Sequence, residues 1–223
     1  MFASLAIPLL TGRIFVFNDL TWFHLPMRHV YQQALRAGDS LLWTPSILSG
    51  FHLHGEGQVG LLHPLHLALY RLFPLSAAFN LELLASYAGA FAGTYWLLRR
   101  LRVEGGASLL GAMLFAFGGF NLLHHHHLNT VAVVAHVPWL LGCVDVLLTD
   151  GSRRRCAAAF AGVALIFTSE HLLGFPPGVW WNLIAVGGFV WFRAAHTSGR
   201  RILAAGLALA IGGLMGGIQL LPM

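Results

Sequence analysis

The sequence predicts an all-α protein that crosses a membrane several times. Of its 223 residues, 57% are hydrophobic and 9% are charged, against roughly 25% charged residues in a soluble domain. A spanning helix needs about 20 mostly apolar residues, and apolar runs near that length recur along most of the chain. We place about seven transmembrane helices, at 1–17, 76–98, 105–123, 130–148, 157–173, 178–193 and 202–221.

The arginines predict how these helices are oriented. Nine of the 13 basic residues follow the second, fourth and sixth spans, and they are Arg99, Arg100, Arg102, Arg153, Arg154, Arg155, Arg193, Arg200 and Arg201. Basic residues are enriched in cytoplasmic linkers, so these three linkers are expected to face the cytoplasm. The arginine-free linkers near 124–129 and 174–178 then face outward. The formal charge of +5 reflects this asymmetry and does not predict a nucleic-acid partner.

This division organises the whole chain as a single membrane domain, 1–223. Segment 1–17 is the first span, and because Arg13 interrupts it we expect its start to be truncated. No basic residue precedes its apolar run, which argues against a removable signal peptide. Residues 18–75 form a long extracytoplasmic loop, and 76–223 contain six further spans. Cys143 and Cys156 lie near predicted cytoplasmic span ends, where free thiols are expected.

The long loop is predicted to contain amphipathic helices that lie on the membrane surface. Apolar residues recur at helical spacing from Phe23 to Ala34, and Gly38 supplies a stop signal. A second, shorter helix should begin at Pro64. Amphipathic helices of this kind lie in the interface between water and lipid. The polar face of the first helix repeats every four residues and consists of His24, Arg28, Gln32 and Arg36.

Twelve of the 13 histidines fall on or near the predicted outer side. They either form a vestibule that binds phosphate or a divalent metal, or they are amphipathic residues tolerated at a membrane interface. A divalent metal is the one cofactor they suggest, with His124 and His126 as the candidate ligands. Because the histidines from His124 to His127 are consecutive, they lack the i, i+4 spacing that places two ligands on one helix face. A dedicated metal site is therefore not favoured.

Acidic residues near the outer side are the next candidates. Asp19 lies where the first span meets the surface, and on the residues alone its favoured role is to cap the surface helix. Glu56 and Gln58 stand among glycines and are either loop tips or ligand contacts. Glu170 and His171 are costly to place in hydrocarbon, so we expect them to face a cavity.

Two further acidic residues leave other functions open. Glu82 and Asp145 lie within about two helical turns of a span end, and Asp145 is expected to pair with Arg153 or Arg154. Together with Glu170, these buried carboxylates and the outer histidines would also suit a transporter or a metal-handling channel. Transporters usually show repeated halves or broken helices, and neither is visible here. A third reading is a truncated, non-catalytic relic.

Several stretches together resemble one known family. They are Asp19 followed by Pro26, the segment LRAGDSLLWTPSILSG, the glycine-rich segment that ends at His63 and Pro64, and the later stretches HHHHLNTVAVVAHVPWLLG and HLLGFPPGVWW. This order is similar to that of the YfhO-type bacterial membrane proteins, which belong to the GT-C class of polytopic glycosyltransferases. The resemblance covers nearly the whole chain. Because family members carry further spans, we expect this chain to be an N-terminal fragment.

The resemblance implies a GT-C-like fold and a sugar transferase of the bacterial plasma membrane, with its site on the extracytoplasmic side. Its partners would be membrane lipid, a polyprenyl-phosphate sugar donor and a glycan or other cell-envelope acceptor. Asp19 would be the general base that deprotonates the acceptor hydroxyl, while positive charge balances the departing phosphate. The candidate substrate-binding residues are Arg28, Arg36, Glu56, Gln58, His63, Arg71, Glu170 and His171.

Overall fold

The computed structural model describes residues 2–222, which are 75% helical and contain no strand. An isolated bridge pairs Thr44 with Phe51. Three helical segments in this range are long and apolar enough to cross a membrane, namely Gly105–Leu123, Leu128–Thr149 and Gly199–Leu220. The chain is thus a helical protein with candidate membrane spans, as its composition predicts. Met1 and Met223, which bound the predicted first span and the last segment, lie outside the described residues.

After residue 64 the helices follow one another with short connections, whereas residues 38–52 form a longer loop between α2 and α3. In chain order they are α1 (Phe2–Leu10), a π-helical turn (Leu20–His24), α2 (Leu25–Ala37), α3 (Leu53–Glu56), α4 (Pro64–Leu72), α5 (Leu75–Arg100), α6 (Gly105–Ala116), α7 (Gly119–Leu123), α8 (Leu128–Thr149), α9 (Arg153–Leu172), α10 (Pro176–Ala194) and α11 (Gly199–Leu220). Every predicted span after the first therefore coincides with a long helix or, at 105–123, with α6 and α7 together.

The first predicted span contains only a short helix. α1 ends at Leu10 after nine residues, and at 1.5 Å per residue it is roughly 14 Å long, about half the thickness of a bilayer core. Gly12 turns the chain with a φ of +66°. The next carbonyl, that of Arg13, then accepts a hydrogen bond of 2.7 Å from the Asn80 side chain. The polar residues after Leu10 thus hold the chain against α5.

α5 and α8 pack closely against each other at the centre of the protein. Trp96 and Trp139 stack with ring centroids 5.5 Å apart, and each indole lies against a glycine of the other helix. A Cβ atom on Gly93 would collide with Trp139, and one on Gly142 would collide with Trp96. α8 also belongs to a second apolar core with α9, α10 and α11. It is therefore the helix that both halves of the protein share.

The two predicted helices of the long loop form at the predicted positions, but α2 buries polar residues that an amphipathic surface helix would expose to water. α2 ends at Gly38 in the left-handed conformation, and α4 begins at Pro64. Most of the polar face is directed inward, so that His24, Arg28 and Gln32 are buried while Arg36 is exposed. Trp22 on the preceding turn is 82% exposed. The reason is a partner on α5, described below, that compensates the buried charge.

Candidate functional site

A polar cavity of about 250 Å³ lies between the π-helical turn and the start of α8. Asp19 lines it, and its Oδ2 atom is 3.3 Å from Nε2 of His127. The two side chains remain 44% and 36% exposed. The Asp19 side chain makes no capping hydrogen bond to the turn that follows, so the capping role favoured from the sequence is wrong. Its carboxylate is available to a ligand in the cavity.

The remaining lining is mostly uncharged. Besides Asp19 and His127 it consists of Phe23, His24, Gln58, Asn129, Thr130 and Phe175. Burial, with a smaller contribution from the nearby Arg28 charge, lowers the pKa of His24 to about 3. His24 is therefore neutral at physiological pH and offers one ring N–H and one lone pair.

The glycine-rich loop delivers an amide to this cavity. The backbone N–H of Gln58 donates to Oε2 of Glu56 at 2.8 Å, and its side-chain Nε2 donates to Oε1 at 3.2 Å. Oε1 of Gln58 in turn accepts from Nδ2 of Asn129 at 3.2 Å. Burial raises the pKa of Glu56. Glu56 thus positions Gln58, and Gln58 is the member of the predicted pair that reaches the cavity.

A backbone contact fixes this loop against the connection between α9 and α10. Gly174 has a φ of +74°, and a Cβ atom there would overlap the carbonyl oxygen of Gly57. A left-handed conformation and this close approach both require glycine. The Gly174 carbonyl is also 3.5 Å from Nδ2 of Asn129. Loop, α8 and the α9–α10 connection therefore meet behind the polar cavity.

Arg28 lies behind this cavity, where it forms a buried ion pair. Its Nε donates to Oε2 of Glu82 at 3.0 Å and its Nη2 donates to Oε1. Tyr70 donates to Oε2 at 2.6 Å, and Nε2 of His66 is 3.2 Å from Oε1. Burial lowers the pKa of Arg28, but Glu82 and Tyr70 outweigh it, so the pKa is raised. Glu82 occupies the guanidinium of Arg28, and Arg28 does not line the Asp19 cavity, so its predicted contact with substrate stays a prediction.

The other two candidate arginines hold the loop helices together. Arg36 donates to the carbonyl of Phe73 at 2.7 Å, and Arg71 lies 3.4 Å from the carbonyl of Leu35. Neither lines the Asp19 cavity. The expectation that these arginines supply positive charge beside Asp19 is therefore not met.

His63 belongs to a second, largely apolar cavity of about 260 Å³. Its Nε2 is 2.8 Å from the hydroxyl of Ser169, and that hydroxyl is 2.8 Å from Nε2 of His136. Nδ1 of His136 faces the Ala132 carbonyl at 2.7 Å, so Nδ1 carries the proton. Nε2 of His136 therefore accepts a hydrogen bond from the Ser169 hydroxyl. The serine oxygen then accepts from His63. Burial, with smaller contributions from His66 and His136, lowers the pKa of His63 to about 2.

The two cavities are arranged along α8. Asn129 and Thr130 line the polar cavity, and His136 lines the apolar one. Thr130 and His136 are six positions apart, which corresponds to a rise of about 9 Å along the helix. The apolar cavity is completed by small and apolar side chains, including Leu65, Ala85, Gly89, Ala132, Ala135, Trp139, Ile166 and Leu173. A polar chamber thus lies next to an apolar one.

Comparison of this chain with protein-family models, curated proteins and solved structures finds no match. Function is therefore inferred from these cavities and from the sequence.

Glu170 and His171 line neither cavity. Glu170 is buried between α9 and α10, where its Oε1 accepts from Nδ2 of Asn182 at 2.9 Å. Nδ1 of His171 lies 2.7 Å from the carbonyl of Phe167, one turn earlier. Asn182 binds only one carboxylate oxygen of Glu170, and Oε2 of Glu170 has no hydrogen-bond partner among residues 2–222. Neither residue lines the polar or the apolar cavity, and their predicted role in substrate binding stays a prediction.

Two of the three acidic residues that favoured a transporter, Asp145 and Glu82, are bound by arginines. Asp145 contacts Arg100, with Nε 2.6 Å from Oδ2, and its Oδ1 accepts from Arg193. The predicted partners Arg153 and Arg154 are exposed and do not contact it. Glu82 is bound by Arg28, as described above. Neither carboxylate is left free to carry an ion along a path through the protein.

Within residues 2–222, no three His, Cys, Asp or Glu side chains converge as ligands for a metal. The two candidate ligands face other groups. His124 stacks on Phe120 with ring centroids 4.2 Å apart, and the ring of His126 lies 4.0 Å from that of His127. Cys143 and Cys156 are free thiols, as predicted.

Sequence reasoning did not single out His127, which contacts Asp19, or Asn129, which lines the same cavity. Both belong to the HHHHLN linker, which the arginine pattern places on the same outer side as Asp19. Their common position on the outer side is the only indication in the sequence that they could meet Asp19. A single sequence does not say which of four consecutive histidines approaches a carboxylate more than 100 positions away.

Proposed function

We propose that this chain is part of a GT-C-type glycosyltransferase with seven membrane-spanning segments, and that the Asp19 cavity is its active site on the extracytoplasmic side. The observation that carries the proposal is the Asp19 carboxylate, half-exposed in a polar cavity and 3.3 Å from His127. A carboxylate that is neither capping a helix nor bound by arginine can serve as a general base. The arginine distribution along the chain supports the outward orientation.

In the proposed reaction, an acceptor hydroxyl attacks the anomeric carbon of a polyprenyl-phosphate sugar. The new bond joins the acceptor oxygen to the anomeric carbon, and the bond from that carbon to the phosphate oxygen breaks. The hydroxyl proton moves to Asp19, and the lipid phosphate leaves with the bonding electrons, so configuration inverts. His127 holds the carboxylate in place through its ring nitrogen.

The pair of cavities supports a lipid-linked donor. A sugar and its phosphate need polar partners, whereas the polyprenyl chain needs an apolar surface. The polar cavity would hold the former and the apolar cavity, about 9 Å further along α8, would receive the first isoprene units. Because no arginine lines the polar cavity, neutral donors such as His24 and Thr130 would contact the departing phosphate.

The test is Asp19→Asn in membranes that contain the complete protein, assayed with a panel of polyprenyl-phosphate sugars and endogenous envelope acceptors. Asparagine keeps the shape of the side chain but has no useful basicity. Loss of a positioned general base typically lowers the rate about 10²–10⁴-fold. Asp39→Asn is the matched control, because Asp39 is an exposed aspartate of the same segment that does not line the cavity.

Two results would contradict the assignment. If Asp19→Asn keeps more than about a tenth of wild-type transfer at equal protein level, Asp19 is not the base. If no sugar is transferred by the wild-type protein from any donor in the panel, the transferase proposal itself fails.

A further inference from the structure

A third cavity, of about 380 Å³, lies at the far end of α8 from Asp19. Three parts of the chain build it, namely the end of α5 with the turn that follows, the last turns of α8 and the end of α10. Its lining consists of Arg100, Leu101, Arg102, Asp145, Thr149 and Arg193. It is therefore a concave site dominated by guanidinium groups.

Asp145 lies at the centre of this site, and each of its two carboxylate oxygens contacts one arginine. Its Oδ2 lies 2.6 Å from Nε of Arg100, and its Oδ1 accepts from Nη2 of Arg193. Nη2 of Arg100 also donates to the Thr149 hydroxyl at 2.9 Å. Each carboxylate oxygen thus holds one guanidinium in a fixed position. No carboxylate oxygen remains to neutralise a third arginine.

The cavity consequently carries excess positive charge and unused donors. Three arginines against one aspartate leave a formal charge of +2 in the lining. Arg102 makes no side-chain hydrogen bond or ion pair with any residue from 2 to 222. Its backbone is left-handed, with a φ of +65°, a conformation that is unfavourable for a non-glycine residue. Nε of Arg193 also has no acceptor among those residues.

The apolar rim of the cavity is Leu101, which lines it and is 37% exposed. At the same end of α10, Trp191 and Phe192 directly precede Arg193 and are 84% and 75% exposed. Exposed aromatic residues next to arginines are typical of the boundary between hydrocarbon and lipid headgroups. An occupant of this cavity would therefore meet guanidinium groups inside and an apolar surface at the edge.

We propose that this cavity binds the phosphate group of an anionic membrane lipid. Guanidinium groups match phosphate oxygens in geometry and charge, and the apolar rim suits the glycerol and acyl portions of a lipid more than it suits a free ion. Inorganic phosphate shares the same headgroup chemistry, so the experiment must separate the two. The site involves none of the residues around Asp19 and is independent of the proposed transferase activity.

The experiment is native mass spectrometry of the purified full-length protein, titrated separately with phosphatidylglycerol, phosphatidylcholine and inorganic phosphate. We expect saturable binding of phosphatidylglycerol and much weaker binding of the zwitterionic lipid. A hydrogen bond to a charged group contributes about 1.5–3 kcal/mol, so Arg102→Gln should weaken phosphatidylglycerol binding by about tenfold or more. Arg154→Gln is the matched control, because it removes the same charge from an exposed arginine outside the cavity.

A photoreactive phosphatidylglycerol gives the position directly, and its cross-links are expected at Leu101 and Thr149. Equal effects of Arg102→Gln and Arg154→Gln, or cross-links confined to other arginine-rich ends, would mean diffuse attraction and would overturn the proposal. Saturable binding of inorganic phosphate that phosphatidylglycerol does not compete would assign the cavity to a free anion instead.

Discussion

Replacing Arg28 by methionine should destabilise the protein severely. Arg28 and Glu82 are 2% exposed each, and the carboxylate also accepts from Tyr70. Methionine is similar in length but leaves the Glu82 charge buried without its counter-ion. Removing one partner of a buried pair typically costs about 3–5 kcal/mol, a large share of a total stability of about 5–15 kcal/mol.

The companion substitutions separate the charge effect from lost packing. Glu82→Leu alone should cost a similar amount, because it strands the guanidinium. Combining Arg28→Met with Glu82→Leu removes both charges, so the double variant should recover part of the loss. Recovery should be incomplete, because the buried Tyr70 hydroxyl then lacks its acceptor, and an unsatisfied buried donor costs about 1–3 kcal/mol.

The assay is equilibrium unfolding of the purified protein in mixed micelles, with Arg71→Met as the control. Arg71 is also an arginine of the loop helices but is exposed, and surface substitutions usually stay within about 0.5 kcal/mol. If Arg28→Met is no more destabilising than Arg71→Met, or if the double variant loses as much as the sum of the two single ones, the buried pair does not hold α2 against α5.

Three further predictions address other parts of the protein. His63 has a pKa of about 2 when folded and about 6.5 when unfolded, so the unfolded state binds more protons below pH 6.5. His63 alone should contribute about 2 kcal/mol to the stability lost between pH 6.5 and 5, and His63→Gln should reduce the loss in unfolding titrations by that amount, leaving the part due to His24. Gly174→Ala should lower the unfolding midpoint because of its positive φ and the Gly57 carbonyl, whereas Gly187→Ala, at an open helical position, should not. In a cysteine-free background, Ser49→Cys should react with a membrane-impermeant thiol reagent in intact cells and Ser198→Cys should not; the reverse would refute the proposed orientation.

The positions of helices were predictable because they depend on local sequence. Apolar runs predict the long helices after residue 75, Gly38 predicts the end of α2, and Pro64 predicts the start of α4. Each of these signals lies within or next to the element that it predicts. The first run differs at its end for a local reason as well, since the helix stops at Leu10 and is followed by Thr11, Gly12 and Arg13 instead of continuing to residue 17.

The partners of polar side chains were not predictable, because each pair joins distant parts of the chain. Amphipathic spacing shows that α2 has a polar face, but it does not say whether that face meets water or a buried Glu82. The same limit explains Asp145, whose partners are arginines at the ends of α5 and α10 instead of those nearest in sequence. Asp19 was selected by resemblance, and only the structure pairs it with His127.

The inward polar face of α2 links the stability of the loop to the proposed chemistry. α2 continues directly from the π-helical turn at Leu20–His24, and Asp19 immediately precedes that turn. The Arg28–Glu82 pair therefore fixes the turn relative to α5, while Glu56 and Gly174 fix Gln58 relative to α8. Positioning of a catalytic group depends on such supporting contacts. It follows that Arg28, which sequence reasoning assigned to substrate, would affect sugar transfer by holding Asp19 opposite His127.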